Sequence, residues 1–165
     1  EQRVNNIEVI THLAEDVPSV LANDYQLQQV FINIIINAEH FMIEANGRGR
    51  LEITTKRDAS FIDITITDDG PGITQENLKR IFDPFFTTKQ IGKGTGLGLP
   101  IAYGIVKLHH GRIAVQSEMM KGTSFIITFP ADLRDYPSGK PMTPSELAEA
   151  LSPGALTSTT RTAHG

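Results

Sequence analysis

Three groups of residues have types and spacings suited to chemistry. Gly92, Gly94, Gly96 and Gly98 alternate just ahead of an apolar run that begins at Leu99-Pro100. A backbone without Cβ obstruction that leads into the N–H groups of a helix start suits a phosphate, and a flexible surface loop is the plainer alternative. The segment holds neither G-x-x-x-x-G-K-[ST] nor a G-x-G-x-x-G that follows a strand, which excludes two common nucleotide-binding loops. Asp68-Asp69-Gly70-Pro71-Gly72-Ile73 closes an alternating apolar run. Asp68 is therefore expected at the edge of a core, where a carboxylate can accept from a planar amine such as that of adenine; an ordinary Asp-Gly turn is the other reading. Asn33 and Asn37 stand four apart, with Gln29 and Phe41 extending the same helical stripe. Two amides in so apolar a helix are costly without partners, and an amide oxygen can help to hold Mg²⁺, which keeps several waters and phosphate oxygens as ligands.

The elements that must position these groups follow from periodicity. Ile7 to Leu13 reads as a strand, closed by Asp16, Pro18 and Asn23. From Asp24 as N-cap, Leu27, Val30, Phe31, Ile34, Ile35, Ala38 and Met42 recur at helical spacing, and the helix ends near Asn46-Gly47. Leu51, Ile53 and Thr55, then Ile62, Ile64 and Ile66, alternate about a turn at Asp58-Ala59-Ser60, which predicts an antiparallel hairpin. A weak helical turn is expected at 75–80 and a mobile segment from Asp83 to Gly98. Pro100 suits the first turn of a second helix through Ile101, Ile105 and Leu108, with Gly111 as its C′ residue. Ile113 and Val115 pair with Phe125, Ile127 and Phe129 about Met120-Lys121-Gly122 as a closing hairpin. No repeat of a solenoid or propeller is present. The expected fold is α+β, a two-layer α/β sandwich whose mixed, mostly antiparallel sheet packs on about three helices.

Composition narrows the function further. The 165 residues suffice for one domain with a core. A net charge of −4 with scattered Lys and Arg gives no footprint for duplex nucleic acid or an anionic membrane, so neither contact is expected. No Cys occurs, which removes disulfides, thiolate metal sites and cysteine nucleophiles. The apolar stretch from Val30 to Ile36 is interrupted by Asn33 and falls short of the roughly 20 residues of a membrane helix. The opening Glu1 suggests a piece of something longer, and after Pro130 the composition turns to Pro, Ser, Thr and Gly, apart from a short helix expected over 145–151. Residues 1–6 are read as the end of a linker, 7–133 as the domain and 134–165 as a tail.

Five motifs in order resemble the N, G1, F, G2 and G3 boxes of sensor histidine kinase ATP-binding domains: Asn33-Ile-Ile-Ile-Asn37-Ala38, Asp68-Asp-Gly-Pro-Gly72, Ile81-Phe-Asp-Pro-Phe-Phe-Thr-Thr-Lys89, Gly94-Thr-Gly-Leu-Gly98 and Gly122-Thr-Ser-Phe125. The run from Gly94 to Val106 resembles in particular the nitrogen-regulation and oxygen-sensing subgroup. The resemblance implies the Bergerat-type sandwich shared with Hsp90, gyrase B and MutL, with ATP between the helical layer and a short flexible lid. It gives Asp68 the adenine amino group, Gly70, Gly72 and Ile73 the pocket wall, and Thr123 a water on the adenine side. Asn37, aided by Asn33, would hold Mg²⁺, and Arg80 would approach the terminal phosphate, where a fixed cation offsets charge in phosphoryl transfer. Lys89, Lys93, Gly94, Thr95, Gly96, Leu97 and Gly98 would form the lid side. Phe41 falls where an aromatic packs near adenine or ribose, or is plain core. His40 stands where many relatives carry Lys, Arg or Gln; it is either a pH-sensitive phosphate contact or a helical His without ligand.

The resemblance implies a cytoplasmic, monomeric donor half that passes the ATP γ-phosphoryl to a histidine on a separate dimerisation domain, for relay to a response regulator receiver domain. None of His12, His40, His109, His110 and His164 has the sequence context of the acceptor. Hydrolysing relatives carry Glu at the place of Asn33, and an amide is no base at neutral pH, so slow hydrolysis is expected. The same absence argues against an ATP-gated dimerisation module of the gyrase or MutL type. Intact Asp68, Asn37 and glycine loop argue against a pseudokinase that has lost nucleotide.

Overall fold

A computed structural model describes residues 2–4, 6–58, 60–90 and 94–131. Six strands form one sheet in the order β1-β2-β3-β4-β6-β5. They are β1 (Gln2–Val4), β2 (Ile7–His12), β3 (Gly49–Asp58), β4 (Phe61–Asp68), β5 (Arg112–Glu118) and β6 (Gly122–Pro130), with helices α1 (Asp24–Asn46), α2 (Gln75–Leu78) and α3 (Gly98–Leu108). All neighbours run antiparallel except β2 and β3. A parallel pair needs a crossover, and α1 is that crossover. The sheet is thus mixed and mostly antiparallel, on three helices, as expected. Gln2–Val4, read from the sequence as linker, pairs with β2 at the sheet edge. Ala59, Gly92, Lys93 and the segment 134–165 with its expected helix lie outside the described residues.

The core follows the two periodicities. Val30, Ile34, Ala38 and Met42 are the buried stripe of α1. On the sheet, Ile62 faces Phe129, Ile64 faces Ile127 and Ile66 faces Phe125 across β4 and β6. Alternation carries that inward row one more rung, to Asp68 opposite Thr123, so the apolar row ends in a buried polar pair.

Helix ends differ from the sequence reading in detail. Asn23, not Asp24, is the N-cap: its side chain accepts from the Gln26 N–H, and Asp24 sits in the first turn, where its charge suits the dipole. Gly47 closes α1 at φ 65°. α2 stops at Leu78, two residues short of the expected turn. At the end of α3, His110 and not Gly111 takes the left-handed conformation, with φ 58°. The His110 N–H bonds to the Lys107 carbonyl and the Gly111 N–H to that of Val106, a Schellman arrangement. Gly111 is required one residue later for space: a Cβ there would stand 2.8 Å from the Phe129 ring.

Candidate functional site

Between α1, the β4 and β6 ends and the described residues from Ile81 to Lys89 and from Gly94 to Pro100 lies a cavity of about 700 Å³, within the range of small-molecule sites. Its floor is the polar rung. Asp68 is 8% exposed. Its Oδ1 accepts from the Gly70 N–H at 2.9 Å, and a Cβ on residue 70 would crowd that oxygen at 2.8 Å. Burial pushes the carboxyl up to about 6, against the Gly70 and Thr123 N–H groups, which favour the charged form. The wall beside it is the loop 69–74. The Ile73 N–H donates to Ser117 Oγ at 2.8 Å, and the Pro71 carbonyl accepts from the Met120 N–H. Gly72 has φ 77°, and a Cβ there would collide with the Glu118 carbonyl, so the loop lies flush on the β5–β6 turn.

α1 supplies the opposite wall. Asn33, Asn37 and Phe41 all line the cavity, one helical turn apart. The two amides differ in what they do. Asn33 Nδ2 donates to the Gly98 carbonyl at 2.9 Å, and its Oδ1 accepts from Gln29 Nε2 at 2.7 Å. Asn33 thereby ties α1 to the start of α3, and both ends of the amide are occupied within the protein. The Asn37 side chain, by contrast, has no protein hydrogen-bond partner among the described residues. It is the amide left to meet a ligand.

The third wall is the segment before α3. Gly94, Thr95, Gly96 and Gly98 line it, together with Lys89, whose ammonium stands 5.2 Å over the Phe41 ring. Burial lowers the Lys89 pKa below the usual lysine value, and the Glu44 carboxylate partly restores it. Gly96 sits at φ 66°, and its carbonyl accepts from the Phe85 N–H at 2.9 Å. A Cβ on residue 96 would run into the Phe85 backbone.

Of the residues singled out from the sequence, Asn33, Asn37, Phe41, Asp68, Gly72, Ile73, Lys89, Gly94, Thr95, Gly96, Gly98 and Thr123 share this one cavity. Four do not line it. Arg80 stacks its guanidinium 4.4 Å from the Phe86 ring centroid and pairs with Asp83 at 3.6 Å; Phe86, not Arg80, forms the wall there. His40 faces Glu44, with 3.5 Å between Nε2 and Oε2, and meets Phe41 edge-on. Gly70 acts through Asp68, and the Leu97 N–H goes to Thr95 Oγ1. Lys93 lies outside the described residues.

The cavity also includes residues given no role from the sequence. Thr74 and Asn77 belong to the cap and body of α2; Thr87 and Thr88 stand just ahead of Lys89; Met119 comes from the β5–β6 turn. Two hydroxyls beside a glycine-rich segment, and a Thr before Gln75, were signals available in the sequence. Met119 offered none. Among the described residues no three His, Asp or Glu side chains cluster as a metal site. A cation beside Asn37 would therefore draw most of its ligands from water and an anionic ligand, which suits Mg²⁺ held on phosphates. No described helix is long and apolar enough to cross a membrane.

The chain is similar to known proteins. Residues 22–133 match the family described as histidine kinase-, DNA gyrase B-, and HSP90-like ATPase. Sporulation kinase E of Bacillus subtilis is 40% identical over 131 residues, 79% of this chain and 17% of that protein. Sensor histidine kinase ZraS of Escherichia coli is 37% identical over 127 residues, 76% of this chain and 26% of that protein. The chain thus spans less than a third of either relative. Among solved structures, the nucleotide-free catalytic domain of histidine kinase ThkA superposes with a TM-score of 0.65 at 34% identity, covering 76% of this chain and 80% of that one. Full-length ShkA in complex with AMPPNP gives 0.66 at 27% identity, covering 76% of this chain and 26% of that one.

Proposed function

The chain belongs to the histidine kinase-, DNA gyrase B-, and HSP90-like ATPase family, and from that membership we propose that it binds Mg-ATP as the catalytic part of a sensor histidine kinase. The six-stranded sheet with its helices forms the unit that does so. It gives the γ-phosphoryl to a histidine on a separate dimerisation domain of the same kinase, from which a response regulator collects it. The observation that carries this reading is one cavity joining a buried acceptor, Asp68, to an uncommitted amide, Asn37, beneath a glycine-bearing wall.

Each residue then has a physical task. Asp68 accepts from the adenine amino group, and Gly72 and Ile73 flank the base. Asn37 turns its amide oxygen to Mg²⁺, whose charge screens the phosphates when bound. Gly94, Gly96 and Gly98 offer backbone N–H groups without side-chain obstruction, and Lys89 supplies a cation on the cavity wall. Arg80 reaches this site through Phe86, which it stacks upon. Asn33 holds the α3 start against α1, keeps an oxygen lone pair with which to aid Asn37 at the metal, and as an amide takes no proton from water.

The test mixes this chain, radiolabelled ATP and a separately expressed dimerisation domain from a kinase of this family. Label on the acceptor histidine, lost with Asp68→Asn and with Asn37→Asp, is the expected outcome. No label, with no Mg-ATP binding by calorimetry, rejects the reading.

A further inference from the structure

Ser117, on β5, does not line the cavity, yet its hydroxyl joins three of the segments that enclose the cavity's base end. It accepts the Ile73 N–H at 2.8 Å, donates to the Gly122 carbonyl at 3.0 Å and pairs with Thr123 Oγ1 at 2.9 Å. A hydroxyl has one proton and accepts two. The Ile73 amide can only donate and the Gly122 carbonyl can only accept. All three bonds coexist in one arrangement alone: Ser117 gives its proton to Gly122, and Thr123 gives its proton to Ser117. Thr123 is 5% exposed and lines the cavity. With its proton committed to Ser117, its oxygen has only lone pairs left to offer a ligand. Its rung partner is the Asp68 carboxylate, an acceptor as well.

We infer that Ser117 is a positioning residue for nucleotide choice: by accepting the Thr123 hydroxyl hydrogen bond it leaves the Asp68–Thr123 rung with acceptors only, which selects a purine carrying an exocyclic amine over a 6-oxo purine. The inference deepens the ATP-binding reading and rests on it. A 6-oxo group directed at two acceptors finds no donor, and the mismatch costs affinity rather than merely failing to add it. Without Ser117 the Thr123 hydroxyl loses its acceptor, rotates, and offers its proton to the cavity, where a 6-oxo purine can use it.

The experiment compares ATP with inosine triphosphate, each titrated with Mg²⁺ into the 165-residue chain and into Ser117→Ala and Ser117→Thr. In Ser117→Ala the preference for ATP is expected to narrow by roughly three- to tenfold, with Ser117→Thr restoring it because the hydroxyl returns. If Ser117→Ala weakens both nucleotides equally, or lowers the melting temperature with the preference unchanged, Ser117 is structural only and the inference is wrong. Should Ser117→Ala not fold, Thr123→Val removes the other end of the same bond. Its preference must narrow too, and an unchanged preference overturns the inference. A parent chain that binds neither nucleotide rejects the ATP-binding reading itself; one that binds both equally rejects only the role of Ser117.

Discussion

Asp68 holds a charge where burial opposes it, because the strand alternation that buries Ile62 and Ile66 also turns this carboxylate inward. Its pKa, raised to about 6 by desolvation, exceeds that of the unfolded chain. The carboxyl therefore favours folding only while protonated: its contribution is complete below about pH 4 and is lost as pH rises through about 6. At neutral pH the ionised group costs on the order of 3 kcal/mol relative to a neutral one. Asp68→Asn keeps an acceptor for the Gly70 N–H and removes the charge. In urea denaturation at pH 7.5 it is expected to be more stable than the parent by about 1–3 kcal/mol, with the gap closing toward pH 4, while calorimetry detects no ATP binding. Equal stabilities at both pH values would show that the group is not desolvated. In ATP binding to the parent chain, affinity should fall as pH drops below about 6, since a protonated carboxyl loses part of its capacity to accept. Asp68 and Asn37 were legible in the sequence because strand alternation and four-residue helical spacing fix direction. The partners of Asn33 were not, since Gly98 lies 65 residues away and only the packed α1–α3 pair brings them together. The surroundings of Arg80 were not legible for the same kind of reason: the chain path from Ile81 to Phe86 stacks it on Phe86 and leaves Phe86 to line the cavity.

The sequence shows well where elements lie and poorly where they end. Both Asn23 and Asp24 are capping types, and the choice between them depends on whose side chain reaches Gln26 N. Similarly, Gly111 reads as a left-handed glycine but is small because Phe129 lies against it, a fact of β6 rather than of α3. The glycines ahead of α3 divide by the same physics. Gly96 has positive φ, and a Cβ would strike the Phe85 backbone, whereas at Gly98, the first residue of α3, the nearest contact for a Cβ is an ordinary 3.7 Å to Asn33. Gly96→Ala is therefore expected to cost at least about 1–2 kcal/mol through left-handed strain. Gly98→Ala should be neutral or stabilising by up to about 1 kcal/mol, because alanine loses less backbone freedom in a helix. Chemical denaturation of the two variants side by side checks this. A Gly96→Ala chain as stable as Gly98→Ala would mean that the turn at residue 96 is not held as described.

At the scale of the molecule, the sheet and helices build a container for a nucleotide without the means to attack it. Hydrolysis needs a base that removes a proton from water in line with the terminal phosphorus. The side chain one turn before Asn37 is Asn33, an amide with no basicity at neutral pH, and its two ends are hydrogen-bonded to Gly98 and Gln29. Lys89, the cation among the described residues lining the cavity, can offset phosphate charge but brings no nucleophile. Proximity of a second reactant is worth many orders of magnitude in rate, and among the described residues no side chain is placed to supply it. The purified chain with Mg-ATP should accordingly release phosphate several orders of magnitude more slowly than the roughly 10 s⁻¹ typical of enzymes, and adding an acceptor histidine on a separate domain should raise consumption of ATP without a change in its affinity. Installing a base by Asn33→Glu tests the same logic from the opposite side. That variant breaks the donor bond to the Gly98 carbonyl, so it should lose stability, and any increase in hydrolysis that survives the loss would show that the missing base, not the geometry of the cavity, limits the reaction. Brisk turnover by the unaltered chain, free of contaminating ATPase, would place this protein with the hydrolysing branch of its family instead.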